Sequence, residues 1–271
     1  MNASSFKVRY GPWAVVAGAS EGLGAAYAEA LASRGLNLLL IARRAALLET
    51  LAAALHAKHG IEARPLAMDL AAGDFAQKLE AAVEGLEVGL GVYNAALSPL
   101  GNFLDVPLPD QLRALEVNCR GPVVFAHVLG APMASRGRGG LVLMSSLAGL
   151  LGTAALATYS ATKAFNVTLG EALWQELRGK GVDVLASCAG AILTPGFQKA
   201  STRPAPGTLA PAQVAELTLA GLGRGPTLVP GALNRVASLV MGRLLPRRLA
   251  VRLMAATTAK VVPAPGPPRA G

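Results

Sequence analysis

The feature that most limits what this chain can fold into is a repeated alternation of short apolar runs with helix-length stretches. Runs that read as strands fall at 13–17, 37–42, 63–68, 88–93, 140–145, 182–187 and 227–229. Between them lie helix-like segments at 22–33, 45–58, 74–84, 109–129, 158–178 and 211–222. Strands alternating with helices of this length are βαβ units. Right-handed crossovers between parallel strands place helices on both faces of one sheet. Such strands are buried on both sides, so they are apolar throughout. This accounts for a mean hydropathy of +0.44 in a chain with only 4% aromatic residues. The expectation is one doubly wound α/β domain over residues 1–230 with a seven-stranded parallel sheet. A basic, aliphatic extension follows over 231–271, and its Pro/Gly-rich end is expected to be disordered.

Charge and cysteines narrow the function classes. The net charge is +9, but eight basic and no acidic residues lie from Arg224 onward, leaving about +1 for the rest. A nucleic-acid face would carry basic residues interleaved with aromatics, so no nucleic-acid partner is expected. Met1–Arg9 has no apolar signal core, and a cytoplasmic location is expected. Cys119 and Cys188 form no CxxC pair and do not cluster with His56, His59 or His127, so neither a disulfide framework nor a metal site is expected. The uncharged stretch Gly139–Thr162 has the 24 residues of a membrane span. Its serines, threonines, Tyr159 and four glycines instead suit a buried strand, a loop and the start of a helix.

The first strand runs into Gly18-Ala19-Ser20-Glu21-Gly22-Leu23-Gly24, which opens a helix. Glycines are needed where the backbone turns sharply and where no side chain can stand between it and a pyrophosphate. The helix end adds free N–H groups and a positive dipole. Gly18, Ser20, Gly22, Leu23 and Gly24 are therefore candidate cofactor contacts, although such a turn can also be a plain strand-to-helix connection. The second strand ends at Ala42-Arg43-Arg44, where an NAD enzyme usually carries a carboxylate for the ribose diol. No acid is present, and Arg43 can pair with a 2′-phosphate, so NADP(H) is the expected cofactor. Arg43 can also simply open a solvated helix, and Glu21 does not favour a phosphate.

Tyr159 and Lys163 are four residues apart and share one face of a helix. A phenol is a weak proton carrier at neutral pH, and a neighbouring ammonium favours its ionised form. That tuning suits a general acid for a carbonyl accepting hydride. The pair alone is common by chance. Ser146, however, stands 13 residues upstream at the end of the fifth strand, where a hydroxyl can steady charge on a carbonyl oxygen.

GxxxGxG after the first strand, Asn94-Ala95-Ala96 after the fourth, Asn118, Ser146, Tyr159 with Lys163, and Gly190 to Thr194 together resemble the short-chain dehydrogenase/reductase family over roughly residues 8–230. The pattern is closest to NADPH-linked 3-oxoacyl and steroid-type ketoreductases. The resemblance implies a Rossmann fold and a catalytic set of Asn118, Ser146, Tyr159 and Lys163, with Asn118 holding a water in a proton relay. It also implies that Asp69 and Leu70 meet the adenine, that Asn94 and Ala95 line the adenosine side, and that Lys163 reaches the nicotinamide ribose. Ile192 and Thr194 would hold the carboxamide. The chain departs from the pattern at Ala17, Ala96 and Ala189, where the family usually has Thr, Gly and Pro.

The expected function is NADPH-dependent reduction of a ketone, or the reverse, on a small and lipophilic substrate suggested by Leu147, Leu150, Leu151 and Leu193. The alternatives are an epimerase or dehydratase of the same family and a non-catalytic cofactor-binding regulator. The loop Pro195–Leu209 is read as a mobile lid. The tail admits two readings: packing on the domain or on a partner in a homodimer or homotetramer, and peripheral contact with an anionic membrane.

Overall fold

The computed structural model describes residues 2–195 and 206–261. Its sheet has seven parallel strands in the order β3-β2-β1-β4-β5-β6-β7. They are β1 (Trp13–Ala17), β2 (Asn37–Ala42), β3 (Ala63–Ala67), β4 (Val88–Tyr93), β5 (Gly139–Ser146), β6 (Val182–Ala189) and β7 (Thr227–Leu228). The helices are α1 (Ala3–Tyr10), α2 (Gly22–Ala32), α3 (Ala45–His59), α4 (Phe75–Val83), α5 (Leu108–Leu115), α6 (Gly121–Arg136), α7 (Ala157–Leu177), α8 (Pro211–Gly221), α9 (Ala232–Leu239) and α10 (Arg247–Val261). This is the single Rossmann-type domain that the alternation requires.

Side chains alternate along each central strand and feed two cores. Ala14, Val16, Leu38 and Leu40 point to one face, where they meet Tyr27 and Leu31 of α2, Leu48 and Leu55 of α3, and Leu219 of α8. Val15, Ala17, Leu39 and Ile41 point to the other, against Phe75 and Leu79 of α4 and Phe125, Leu129 and Met133 of α6. With both faces covered, β1 has no polar side at all. The outermost strand β3 is half-exposed and holds Pro65, which an edge tolerates because one side of the strand needs no ladder donor. The strand order reverses between β1 and β4, so a crevice opens beyond their carboxyl ends.

Two features differ from the sequence expectation. Residues 3–10, polar in composition and assigned no element from the sequence, form α1. Asn2 Oδ1 accepts from Ser5 N at 2.8 Å, Phe6 and Tyr10 are buried, and Arg9 and Tyr10 both donate to Asp183 of the β6 strand, at 2.7 and 2.8 Å. The helix expected over 109–129 is three pieces, with one wide π turn at Glu116–Arg120 between α5 and α6. Such turns often occur at functional sites, and this one carries Asn118.

The approach of α2 to β1 leaves no room at Gly24, where an added Cβ would lie 1.9 Å from the carbonyl oxygen of Gly18. Gly24→Ala is expected to lower stability in urea unfolding by about 1–3 kcal/mol, the cost of overpacking. Gly73→Ala is the control, because a Cβ there meets nothing within 4 Å. Equal midpoints for the two variants would refute this reading of the turn.

Candidate active site

The crevice is built first from backbone. Gly18 has φ +82°, and a Cβ on it would sit 2.7 Å from Ala95 Cα. Gly22 has φ +59° and faces Thr194 Cγ2, which its Cβ would meet at 3.1 Å. Only glycine combines these backbone conformations with such close neighbours. The turn is anchored by Gly18 N and Ala19 N donating to Ile41 O at 2.7 and 3.1 Å. Asn94 Nδ2 donates to Gly18 O at 3.0 Å, and the Asn94 and Ala95 amides donate to Ala17 O. Leu23 is buried beneath. Glu21, at the N-cap of α2, makes no side-chain cap bond, so the first-turn N–H groups face the turn without a resident partner from that residue. A cradle free of side chains under an uncapped helix end fits a pyrophosphate.

At the adenosine side the structure adds a residue that the sequence reading passed over. Arg44 donates to Ser20 Oγ at 2.9 Å and pairs with Glu21 at 2.9 Å, while Arg43 is exposed beside it. Glu21 therefore already has a cationic partner. Burial pushes the Asp69 carboxyl up. The Ala71 N–H and the Arg113 guanidinium at 2.6 Å outweigh that, with help from Arg43, and leave it lowered. Asp69 is thus ionised and held by protein on both oxygens, with Leu70 buried next to it.

The candidate reacting groups come from the end of β5 and the first turns of α7. Lys163 is buried at 2% exposure, and its Nζ donates to Met144 O at 2.7 Å. Ser145 Oγ returns a bond to Lys163 O at 2.7 Å, and a Cβ at Gly149 would come within 2.6 Å of Lys163 C. Strand and helix are therefore locked at this lysine, and Ser145 is a structural neighbour rather than an open hydroxyl. Ser146 and Tyr159 are half-buried, Ser146 Oγ accepts from Ala148 N at 3.2 Å, and the Ser146 hydroxyl stands near enough to the phenol to bear on its acidity. Lys163 Nζ lies 5.6 Å from the centroid of the Tyr159 ring. The expectation that the ammonium draws the phenol pKa down is not met: burial pushes Tyr159 up, and Ser146 offsets part of that. Burial also draws Lys163 down to about 8.

Asn118 is buried, and all its bonds in the structure are to protein. Its Oδ1 accepts from Leu97 N at 2.8 Å, and its Nδ2 donates to Leu97 O and Thr162 Oγ1 at 2.7 and 3.0 Å. It ties the loop after β4 to α7, one residue before Lys163. A water held by its amide would have to use the remaining lone pair of Oδ1. Gln111 makes a second tie that the sequence did not reveal. It accepts from Thr158 Oγ1 at 2.6 Å and donates to Phe103 O and Val106 O.

The far wall comes from the segment after β6 and from the tail. Ile192 bridges Leu209, and Leu193 N donates to Leu209 O at 3.0 Å, so the loop 195–209 leaves and returns at one point. Its interior, residues 196–205, lies outside the described residues, and with it most of the expected lid. Asn234 on α9 is buried, donates to Gly207 O and Pro230 O at 3.0 Å each, and packs against Gly190. Thr153 Oγ1 donates to Thr258 Oγ1 of α10 at 2.9 Å. Pro246 separates α10 from the preceding helix, so the tail is two helices. Among the described residues, no group of three His, Cys, Asp or Glu can hold a metal ion, and no helix is long and apolar enough to cross a membrane.

A glycine cradle at the switch point of a parallel sheet, with a hydroxyl, a phenol and an amine beside it, defines a dinucleotide-dependent oxidoreductase. The family model for short-chain dehydrogenases matches residues 12–205. A 7beta-hydroxysteroid dehydrogenase of Clostridium sardiniense is 33% identical over 234 residues, covering 85% of this chain and 90% of that protein. A very-long-chain 3-oxoacyl-CoA reductase of Aspergillus clavatus is 39% identical over 183 residues, 64% of this chain, and the chain spans only 52% of it. Among solved structures, one from a study of 7beta-hydroxysteroid dehydrogenase stereoselectivity superposes with a TM-score of 0.87 at 27% identity over 92% of this chain and 98% of that one. A short-chain dehydrogenase of Sphingobium yanoikuyae in complex with NADPH superposes with a TM-score of 0.76 at 28% identity over 86% of this chain and 94% of that one. The chain belongs to the short-chain dehydrogenase family, enzymes that act on CH–OH and C=O groups.

The buried lysine fixes a pH dependence. A lysine whose folded pKa is about 8, against about 10.4 when unfolded, binds fewer protons in the folded chain between those values. Stability therefore rises with pH across that window and falls as pH drops through about 8. Relative to Lys163→Met, the wild-type chain is expected to gain stability between pH 8 and pH 10 in urea titrations. A pH-independent difference would contradict the burial of the charge.

Proposed function

We propose that the protein is an NADPH-dependent reductase of a lipophilic ketone, with Tyr159 as the proton donor. The observation that carries this reading is the joint placement of Ser146, Tyr159 and Lys163 at the mouth of the glycine cradle. A bound reduced nicotinamide supplies the hydride. Gly18, Ser20, Gly22, Leu23 and Gly24 would hold its pyrophosphate side, with Asp69, Leu70, Asn94 and Ala95 around the adenosine. Ile192 and Thr194 would meet the carboxamide. Ser20, Arg43 and Arg44 form a polar, cationic corner suited to a 2′-phosphate.

In the proposed reaction Ser146 Oγ donates a hydrogen bond to the substrate carbonyl oxygen and steadies its growing charge. Tyr159 Oη then gives that oxygen its proton. A phenol raised by burial is held in its protonated form, which is the form reduction needs. Lys163 orients the cofactor ribose and keeps positive charge near the phenolate left behind. Asn118 acts on Lys163 and Tyr159 through the Leu97 and Thr162 contacts, as a positioning residue. The loop after Ser146 and the segment after β6 offer the aliphatic Leu147, Leu150 and Leu193, with Leu151 buried behind them, which supports a lipophilic substrate. The names of the relatives, a hydroxysteroid dehydrogenase and 3-oxoacyl-CoA reductases, point the same way.

A panel of cyclic, steroidal and 3-oxoacyl ketones assayed by loss of NADPH absorbance tests the reading. Tyr159→Phe is expected to lower kcat by about 10²–10⁴-fold and to leave the NADPH dissociation constant within about twofold. Retained turnover would remove the tyrosine from the proton-donor role. Replacing Arg43 and Arg44 together by alanine is expected to raise KM for NADPH at least about tenfold and to leave NADH nearly unchanged. An equal effect on both cofactors would count against NADPH.

The exposed Leu108, Leu112 and Leu115 near α5 and Phe165 on α7 give the proposed homo-oligomer a contact surface. Light scattering of Leu112→Glu against the wild type measures it. An unchanged mass would place the contact elsewhere.

A further inference from the structure

Beside the loop that follows Ser146 stands an arginine that the proton chemistry does not use and that the fold engages through one long bond. The loop 147–156 runs from Ser146 to the start of α7 two residues before Tyr159, so a substrate held between those two groups lies against it. Helix α10 is fastened to the outside of this loop at two points. Thr258 meets Thr153, and Arg247 Nη1 donates to Leu150 O at 3.3 Å. Ala250, fully buried, sits between them on the inner side of the helix. The helix thus delivers Arg247 to the rim, next to the leucines that line the loop.

That one long bond uses one of the five N–H donors of Arg247. Many arginines in the body of the domain have carboxylates within 4 Å, although among the described residues Arg43 and Arg178 do not: Arg9 has Asp183, Arg34 has Glu216, Arg113 has Asp69, and Arg136 and Arg138 share Glu87. Among the described residues, none of Arg243, Arg247, Arg248 and Arg252 has one, and the sequence contains no Asp or Glu after Glu216. Charge at the rim is therefore left for something outside the chain. On the wheel of α10, Arg248 and Arg252 point away from the face that holds Ala250 and Thr258, whereas Arg247 is bonded to the loop.

We infer that Arg247 is a specificity-determining residue that holds an anionic group at the far end of an amphipathic substrate whose ketone lies at Tyr159. This rests on the ketoreductase reading. It adds to it a chemical class: an apolar body with a carboxylate or phosphate distal to the reacting carbon. The aliphatic loop buries the body, and the guanidinium forks onto the anion at the mouth.

Two matched pairs of substrates test it, using the full chain and NADPH. One pair is a steroidal ketone with a side-chain carboxylate and its methyl ester. The other is a 3-oxoacyl-CoA and its N-acetylcysteamine thioester. In Arg247→Met, KM for the charged member of a pair is expected to rise about tenfold with kcat unchanged, while the uncharged member stays within about twofold. Arg247→Lys should recover part of the loss, and Arg252→Met should move neither member. The pair that responds distinguishes a carboxylate from a nucleotide phosphate. A change of equal size in both members, or in neither, overturns the inference while the uncharged ketones still report a working reductase. If the wild-type chain reduces none of the four, the ketoreductase reading and the inference fall together.

Discussion

The site depends on a single buried ammonium. Lys163 has almost no contact with water, so its charge is tolerable only because Met144 O accepts from it directly and because the strand end and helix are clamped around it. Ser145 and Gly149 complete that clamp, one by a hydroxyl bonded to the lysine's own carbonyl, the other by having no side chain. The clamp fixes the crossing of α7 over β5. Ser146 is the next residue on the strand and Tyr159 lies one helical turn back, so their meeting follows from the same crossing. The arrangement of the candidate site follows from satisfying one costly charge.

A second set of polar ties arranges what surrounds that centre. Asn118 in its π turn, Gln111 on α5 and Asn234 on α9 are all buried, and each bonds backbone carbonyls of a loop that borders the cleft. Buried amides without partners are expensive, and these three satisfy loop backbone that would otherwise need water. The tail helices therefore stand in the wall of the cleft: α9 fixes the stem of loop 195–209, and α10 rests on the loop between Ser146 and Tyr159.

Most of the sheet was legible because burial on both faces makes each central strand a plain apolar run, and the glycine turn because three close approaches leave glycine no substitute. The placement of Ser146, Tyr159 and Lys163 at a strand end and on one helical face was legible through their spacing. Other features left no such trace. Helix α1 is polar in composition and forms because Asn2 caps it and two aromatic residues drop into the core. The π turn inserts no distinctive residue. Arg44, not Arg43, makes the bonds to Ser20 and Glu21, a distinction between adjacent arginines that only the backbone at the start of α3 decides. Asn234 and Gln111 bond across long sequence separations, and no local pattern marks them.

Burial, more than the lysine charge, sets the acidity of the phenol in the folded chain. Placing Lys163 one turn from Tyr159 suggested that charge would set its acidity. In the folded chain both groups are withdrawn from water, and desolvation disfavours the charged form of each: the phenol rises and the amine falls toward about 8. The two effects are not in conflict with proton donation. A phenol that is reluctant to ionise stays loaded with its proton until negative charge develops on a neighbouring oxygen, and an ammonium near its own titration point responds readily to that charge. Burial, which accompanies the clamp at Lys163, thereby keeps the phenol in the protonated form that the proposed reductive direction uses, while the contact with Met144 O offsets part of its cost to the ammonium.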